Sequence, residues 1–492
     1  MDRKKRPRKR SSHVSQKSEK RIDFVSFLFS KELVLRVFSF LSSQDLITCT
    51  VVSHNWSRIA NDEMLWKPLF YRKFQNLFLL KETRKYYYDP VIRYRGSWKT
   101  KYRIHHNWLY GNCQIRDVTN VFHTSPNVHQ YFQFTHDIIF TAQSDSSIIK
   151  VWRYNNNEKD NFFKLLGQIQ SLEVQQEDIF ITYLKLTTTE KQYLIAGYSN
   201  GGFTIWEFST NDVMAIINNT LVDEIHELIT YFPTSNQNKV KSIGMVYPMI
   251  VVYTENKKLS IFHFNNDTLK LIDQLQSAVD WQPVIINIYP ISNHDYKKLW
   301  KVVLCFGLLS GEGNYTSTAV GIQEIILSTH SILFSRQGFS IHSEPNVSSY
   351  SSNYNHNTAS KQLITSMAYT PPYIITAHPN NTMKQYLVTS DNNNQFSVTF
   401  QQILYGHAFR VDALAISDQK LISGDRSGLK IWDLFLLKQE DFVTVNHYKE
   451  QSNMNELPEC QIESLNFDED KIMAIINLPN HESSFIRLWS FK

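Results

Sequence analysis

Glycine is scarce here, with 15 in 492 residues, about 3% against the ~7% of an average protein. A repeat protein with a tight glycine turn in every unit is excluded, so any repeats must be degenerate. The four cysteines (Cys49, Cys113, Cys305 and Cys460) are scattered and form no C-x-x-C pair. That argues against a disulfide framework and fits the thiol usage of a reducing compartment. No apolar stretch approaches the ~20 residues of a membrane-spanning helix. The richest, Met245 to Tyr253, is short, contains Pro248, and reads as a buried strand. Catalytic signatures are missing too. The 17 histidines show no H-E-x-x-H spacing, and there is no glycine-rich phosphate loop, no G-x-S-x-G elbow and no Cys/His cluster with metal-ligand spacing. His105 and His106 are adjacent in a basic stretch and read as solvated. The sequence therefore points to no catalytic residue, metal or cofactor, and to a protein that is not an enzyme.

What is present suits a multidomain globular chain. Apolar residues make up 42%, charged residues 20% and aromatics 13%; the length calls for at least two domains, and the aromatics favour a strand-rich core. The net charge of +5 is unevenly placed. Residues 1–21 carry +8, which leaves −3 on the remaining 471. Seven of the eight residues from Arg3 to Arg10 are basic, including Lys4, Lys5, Arg6, Arg8, Lys9 and Arg10. Such a run repels itself and is expected to be disordered. It reads as a nuclear import signal, so the expected location is nucleus and cytoplasm, with the nucleus favoured. The alternatives are a solvated tail or a non-specific nucleic-acid contact. No basic-plus-aromatic surface motif outside residues 76–111 supports a nucleic-acid partner.

Behind the tail (1–23), three regions separate by hydrophobic period. Residues 24–75 are helical: Leu33, Val34, Val37, Phe38, Phe40 and Leu41 follow the spacing of a helix face. Ser30, Ser43 and Asp62 are candidate caps for successive short helices. Residues 76–111 are basic and aromatic and read as a helical connecting element. From 112 to 492 the period changes to two. A turn followed by an alternating strand with a closing aromatic recurs, most clearly at Trp152, Trp206, Phe262, Trp432 and Trp489, and more weakly at Ile325 and Tyr386. These seven marks lie about 56 residues apart on average, more than the ~40–45 of a WD blade. Polar insertions such as 343–360 and Asn392 to Asn394 supply the excess as surface loops. The expected architecture is a small all-α domain followed by an all-β propeller, degenerate and seven-bladed.

The stretch Leu28 to Leu41, continued by Asp45-Leu46, Val52-Ser53, Trp56 and Leu65-Trp66, resembles an F-box. Phe29 stands where the family usually has proline, and Val52-Ser53 where it has Val-Cys. Leu28, Leu33, Val37, Phe38 and Leu41 are too many apolar residues for the interior of so small a bundle. Part of that surface is expected to be exposed, and such patches mark partner sites. The resemblance names the partner as the Skp linker protein and, through it, a cullin. It implies Leu28, Leu33, Val37, Phe38, Leu41, Leu46, Val52, Trp56, Leu65 and Trp66 as the Skp-binding residues.

Gly406-His407, Leu421 to Gly424 and Gly428 to Asp433 are similar to a complete WD repeat, with Gly-His opening it and Trp-Asp closing it. The resemblance implies a buried hydrogen-bonded set of His407, Ser423, a turn residue and Trp432. Ser427 stands at the expected place of the family's turn aspartate, which would weaken the set. Trp98 to Gly111, with its Asn107-Trp108 pair, looks like the junction of F-box/WD-repeat proteins. Together these resemblances imply a substrate-recognition adaptor of an SCF-type ubiquitin ligase, whose propeller presents a protein substrate. The competing reading is a nuclear WD-repeat scaffold outside any ligase. Relatives can bind phosphorylated segments through propeller arginines. Arg426 is the matching candidate here, although Asp412 occupies another position where such relatives carry arginine.

Overall fold

The structure is a computed structural model. It describes residue 25, residues 30–74 and residues 96–492, except 120, 123–127, 136, 155–162, 175–177, 189–190, 209–224, 235–237, 266–267, 293–297, 311–316, 342–363, 391–395, 418–419, 435–441, 447–459 and 479–483. The basic tail, Leu28 and most of the connecting stretch lie outside the described residues. The chain divides into two compact units, residues 1–80 with 94–103 and residues 81–93 with 104–492.

The first unit is a helical bundle of α1 (Lys31–Phe38), α2 (Ser43–Cys49), α3 (His54–Ala60) and α4 (Glu63–Phe74), joined by the start of α5 (Trp98–Tyr110). The helices α2, α3 and α4 each follow a residue whose side chain satisfies a free N–H group; Ser30 stands before α1, but its side chain makes no cap bond. Ser42, rather than the expected Ser43, caps α2: its side chain accepts from the Asp45 N–H, and the Asp45 carboxylate accepts from the Ser42 N–H. Ser43 is already helical, because the reciprocal bond needs the acid three positions after the cap. Ser53 caps α3 by accepting from the Trp56 N–H, and Asp62 accepts from the Met64 N–H. The interior is Val34, Phe38, Leu46, Ile59, Leu65, Trp66 and Phe70. Trp66 donates its indole N–H to the Ala60 carbonyl at 2.7 Å, so this buried ring leaves no polar atom unmet.

The second unit is a propeller of seven four-stranded antiparallel sheets. Its innermost strands are β2 (Gln130–Thr135), β6 (Ile181–Thr188), β10 (Val240–Val246), β14 (Val284–Ser292), β18 (Ser366–Thr370), β22 (Ala413–Ile416) and β26 (Gln461–Phe467). Each touches the next, and β26 touches β2, so they close a ring. The seventh sheet is built from both ends of the domain: β1 (Gln114–Val118) pairs with β28 (Ser484–Ser490). The core lies between blades, as where Phe140 and Val151 pack with Leu184, Ala196 and Tyr198.

The seven closing residues noted in the sequence all fall on the third strand of a sheet: β4 (Ile149–Tyr154), β8 (Phe203–Phe208), β12 (Lys258–Asn265), β16 (Ser317–Leu327), β20 (Met383–Ser390), β24 (Gly428–Asp433) and β28. Met245 to Tyr253 is not one strand. The chain turns at Tyr247-Pro248 from β10 into β11 (Met249–Thr254), because proline cannot supply a ladder N–H.

The later part of α5 belongs to the propeller unit. Trp108 stacks on Phe491 with centroids 3.9 Å apart and donates to the Glu469 carbonyl at 2.8 Å. Asn107 donates to the Phe491 carbonyl at 2.8 Å.

Candidate protein-interaction surfaces

The apolar positions of α1 divide between two sides. Val34 and Phe38 point inward, Phe38 against the Trp56 ring at 5.3 Å. Leu33 and Val37 are 56% and 57% exposed, and Phe40, in the turn that follows, is 77% exposed. Residues 33, 37 and 40 have the i, i+4, i+7 spacing of one helix side. Ile47, Val51, Val52 and Met64 are also exposed. Eight of the 20 large exposed apolar residues among those described lie between Leu33 and Tyr71, a small part of the chain. Large apolar side chains concentrated in this way are unusual on a self-sufficient surface.

This placement sorts the ten residues implied for Skp binding. Leu33, Val37 and Val52 are exposed, Leu41 and Trp56 are half-buried, and Leu28 lies outside the described residues. Phe38, Leu46, Leu65 and Trp66 are interior; they shape the surface but cannot form it. Their inclusion is corrected, since a sequence period marks apolar positions without telling which side faces in. Phe40, named in the sequence only for its helical spacing, and Ile47, Val51 and Met64, absent from the sequence reading, belong to the exposed set.

In the propeller, the sixth sheet consists of β22, β23 (Lys420–Asp425), β24 and β25 (Phe442–Asn446). His407 lies on the loop before β22. Its Nε2 is 2.6 Å from Ser423 Oγ, and Trp432 Nε1 donates to the same hydroxyl at 2.8 Å. His407 Nδ1 is 3.0 Å from Asp425 Oδ2. The carboxylate therefore comes from Asp425, not from the place assigned to Ser427, and the expected weakening is withdrawn. Ser427 acts on Asp425, donating from its N–H at 2.8 Å and its hydroxyl at 2.5 Å. Burial pushes the Asp425 carboxyl up, but the hydrogen bonds from His407 and Ser427 outweigh it and hold the group at about 2. The sequence signal was available: an aspartate followed by Arg-Ser-Gly is a side-chain-capped turn.

Parts of this set recur. Trp152 donates to Thr141 Oγ1 at 2.8 Å, and Tyr386 bonds to Thr376, whose hydroxyl is 2.9 Å from His378 Nε2. At the corresponding position in other blades stand Ala196, Val252 and Ala474. These blades rely on packing, which is why their repeats are faint in sequence.

Arg426 is exposed beside this set, with its guanidinium 3.6 Å from the Phe409 ring centroid. Arg410 pairs with Asp412 at 3.2 Å. Burial raises the Asp412 carboxyl to about 6, with Arg410 opposing and Asp425 reinforcing the shift.

Residues 113–477 match the family described as F-box protein pof12 beta-propeller. The chain belongs to that family. Residues 31–72 also match the F-box-like family, the segment that carries the exposed stripe on α1. Among curated relatives of this F-box propeller protein, the probable E3 ubiquitin ligase complex SCF subunit sconB of Arthroderma benhamiae is 26% identical over 168 residues, covering 27% of this chain and 23% of the relative. An F-box protein of Saccharomyces cerevisiae is 26% identical over 150 residues, covering 26% and 23%. F-box/WD repeat-containing protein sel-10 of Caenorhabditis elegans is 24% identical over 197 residues, covering 39% and 29%. The matched stretches thus span less than a third of these relatives' own lengths.

Proposed function

We propose that this F-box propeller protein is the substrate-receptor subunit of an SCF-type ubiquitin ligase. Its helical unit docks on the Skp linker protein, and through it a cullin, while the propeller holds a protein substrate. The observation that carries this reading is the exposed apolar stripe of Leu33, Val37 and Phe40 on the unit that matches the F-box-like family. Burying such a stripe against a helical partner contributes roughly 25 cal/mol per Å² before association costs. The receptor forms and breaks no covalent bond in this scheme. It raises the effective concentration of substrate lysines near the charged enzyme. The name of the sconB relative supports the same assignment.

The test is co-purification. The unaltered chain should recover Skp and cullin from cells, and Leu33→Asp with Val37→Asp should recover neither while keeping its melting curve. Full recovery by that double variant would overturn the docking assignment. Skp binding in a form that never joins a cullin would favour the scaffold reading.

The basic run Arg3 to Arg10 is assigned to nuclear import on its charge density. Removal of residues 1–11 should shift the protein to the cytoplasm by fluorescence imaging; an unchanged nuclear signal counts against it. Arg426 is assigned to substrate contact on its exposure in the turn between β23 and β24.

A further inference from the structure

A recess of about 270 Å³ lies among the inner strands of five consecutive blades, lined by Lys185, Asn287, Tyr289, Tyr369, Thr370 and Ser417 among others. The side chains that line it supply an ammonium, an amide and hydroxyls, and no carboxylate. Lys185, on β6, spans to the fourth blade, where its Nζ donates to the Ile286 carbonyl at 2.8 Å. An ammonium has three N–H donors, so that single bond leaves capacity on the recess side. Among the described residues no carboxylate lies within ion-pair distance of Lys185. Burial pulls the amine down to about 8, which records the cost of an uncompensated charge.

Lys471 shows how this fold treats a buried lysine with a structural task. It is 3% exposed and sits between Asp468 at 2.6 Å and Asp470 at 3.1 Å. Those carboxylates more than offset the burial that would otherwise lower it. Lys185 has been given a recess instead of counter-ions. The volume limits what can enter. At ~30 Å³ per water, the space holds a small solute, and it is below the usual ~300–1,000 Å³ of drug-sized pockets. A folded partner or a helical segment does not fit.

We propose that this recess binds a small oxyanion, the phosphate or carboxylate group of a metabolite-sized ligand. Lys185 is the counter-charge, and Asn287 and Ser417 are further donors in the lining. A bound anion would complete the hydrogen bonding of the ammonium and tie the second, fourth and sixth blades together across the ring. The proposal stands independently of the ligase assignment, because the binding is a property of the chain alone.

The experiment uses the full chain. Trace acetylation at pH 8 is followed by mass spectrometry at Lys185, with exposed Lys191 as internal reference. Inorganic phosphate and succinate are titrated separately against sodium chloride of equal ionic strength. The expected result is a saturable drop of at least fivefold in Lys185 labelling with one of the two oxyanions, and none with chloride or at Lys191. The effective anion tells a phosphate from a carboxylate ligand. Calorimetry with that anion should show at least tenfold weaker binding by Lys185→Met. If that variant does not fold, Ser417→Ala should still show a several-fold loss. Labelling of Lys185 that neither oxyanion changes, or a folded Lys185→Met chain that binds as the original does, would overturn the site.

Discussion

Asp425 joins two pieces of chain: the loop before β22, through the His407 ring and the Phe409 N–H, and the turn into β24, through Ser427 and Gly428. Asp425→Asn keeps the shape and removes the charge, and should cost ~1–3 kcal/mol by urea denaturation at pH 7. The pH dependence has a definite sign. The folded carboxyl is held at about 2, below the ~3.9 of an unfolded aspartate. Its stabilisation is therefore complete above pH ~4 and is lost as pH falls through about 2. The gap between the two proteins should narrow over that window; a gap constant down to pH 2 would remove this role. Next to it, Arg426→Ala should cut substrate recovery while changing stability by no more than ~1 kcal/mol, the scale of its contact with Phe409. If substrate half-lives in cells respond to the α1 variants and not to Arg426→Ala, the reader lies elsewhere on the propeller. The spacing of His407, Ser423 and Trp432 was legible in the sequence. The Asp-Arg-Ser-Gly turn was legible too, but Asp425 and Ser427 share it, and only the folded structure shows that Asp425 is the one that reaches the histidine.

At the scale of the element, α1 explains why the docking experiment needs substitutions on one side only. Phe38→Ala would remove a ring that packs on Trp56 in the bundle core. That costs ~3–5 kcal/mol, enough to unfold so small a bundle, and loss of Skp from such a variant would say nothing about the surface. Val37 is more than half exposed, and a change there should stay within ~0.5 kcal/mol. The period of the helix was plain in sequence, but nearly every turn of α1 carries apolar residues on both sides, so period alone could not orient it. Strands were more readable. Even the weak marks Ile325 and Tyr386 fall on β16 and β20, because the third strand must present a large residue to its neighbours even where, as at Ile325, the side chain has no polar group to join a hydrogen-bonded set. Pro248 shows the opposite case, in which a composition-rich run hid a turn.

At the scale of the molecule, the ring depends on one joint between distant segments. Arg487 on β28 grips Asp117 on β1 through two bonds of 2.6 Å, and five residue pairs align the strands. Without β1, the β28 edge would present unpaired N–H and C=O groups, a template for aggregation. Removal of residues 114–118 should lower the melting temperature and raise light scattering on heating, and Asp117→Ala should do so more mildly. Equal melting and scattering in both variants would show that the ring holds without the joint. The joint also sets a timetable for the ribosome. Its two halves are separated by 370 residues, so at ~5–20 residues per second β1 waits roughly 20–70 seconds for its partner. The blades between can form as they emerge, while the nascent domain stays an open arc with a bare strand at its leading end. Any factor that shields nascent strands has its longest task at Gln114 to Val118, and slow synthesis of the last blade would lengthen it.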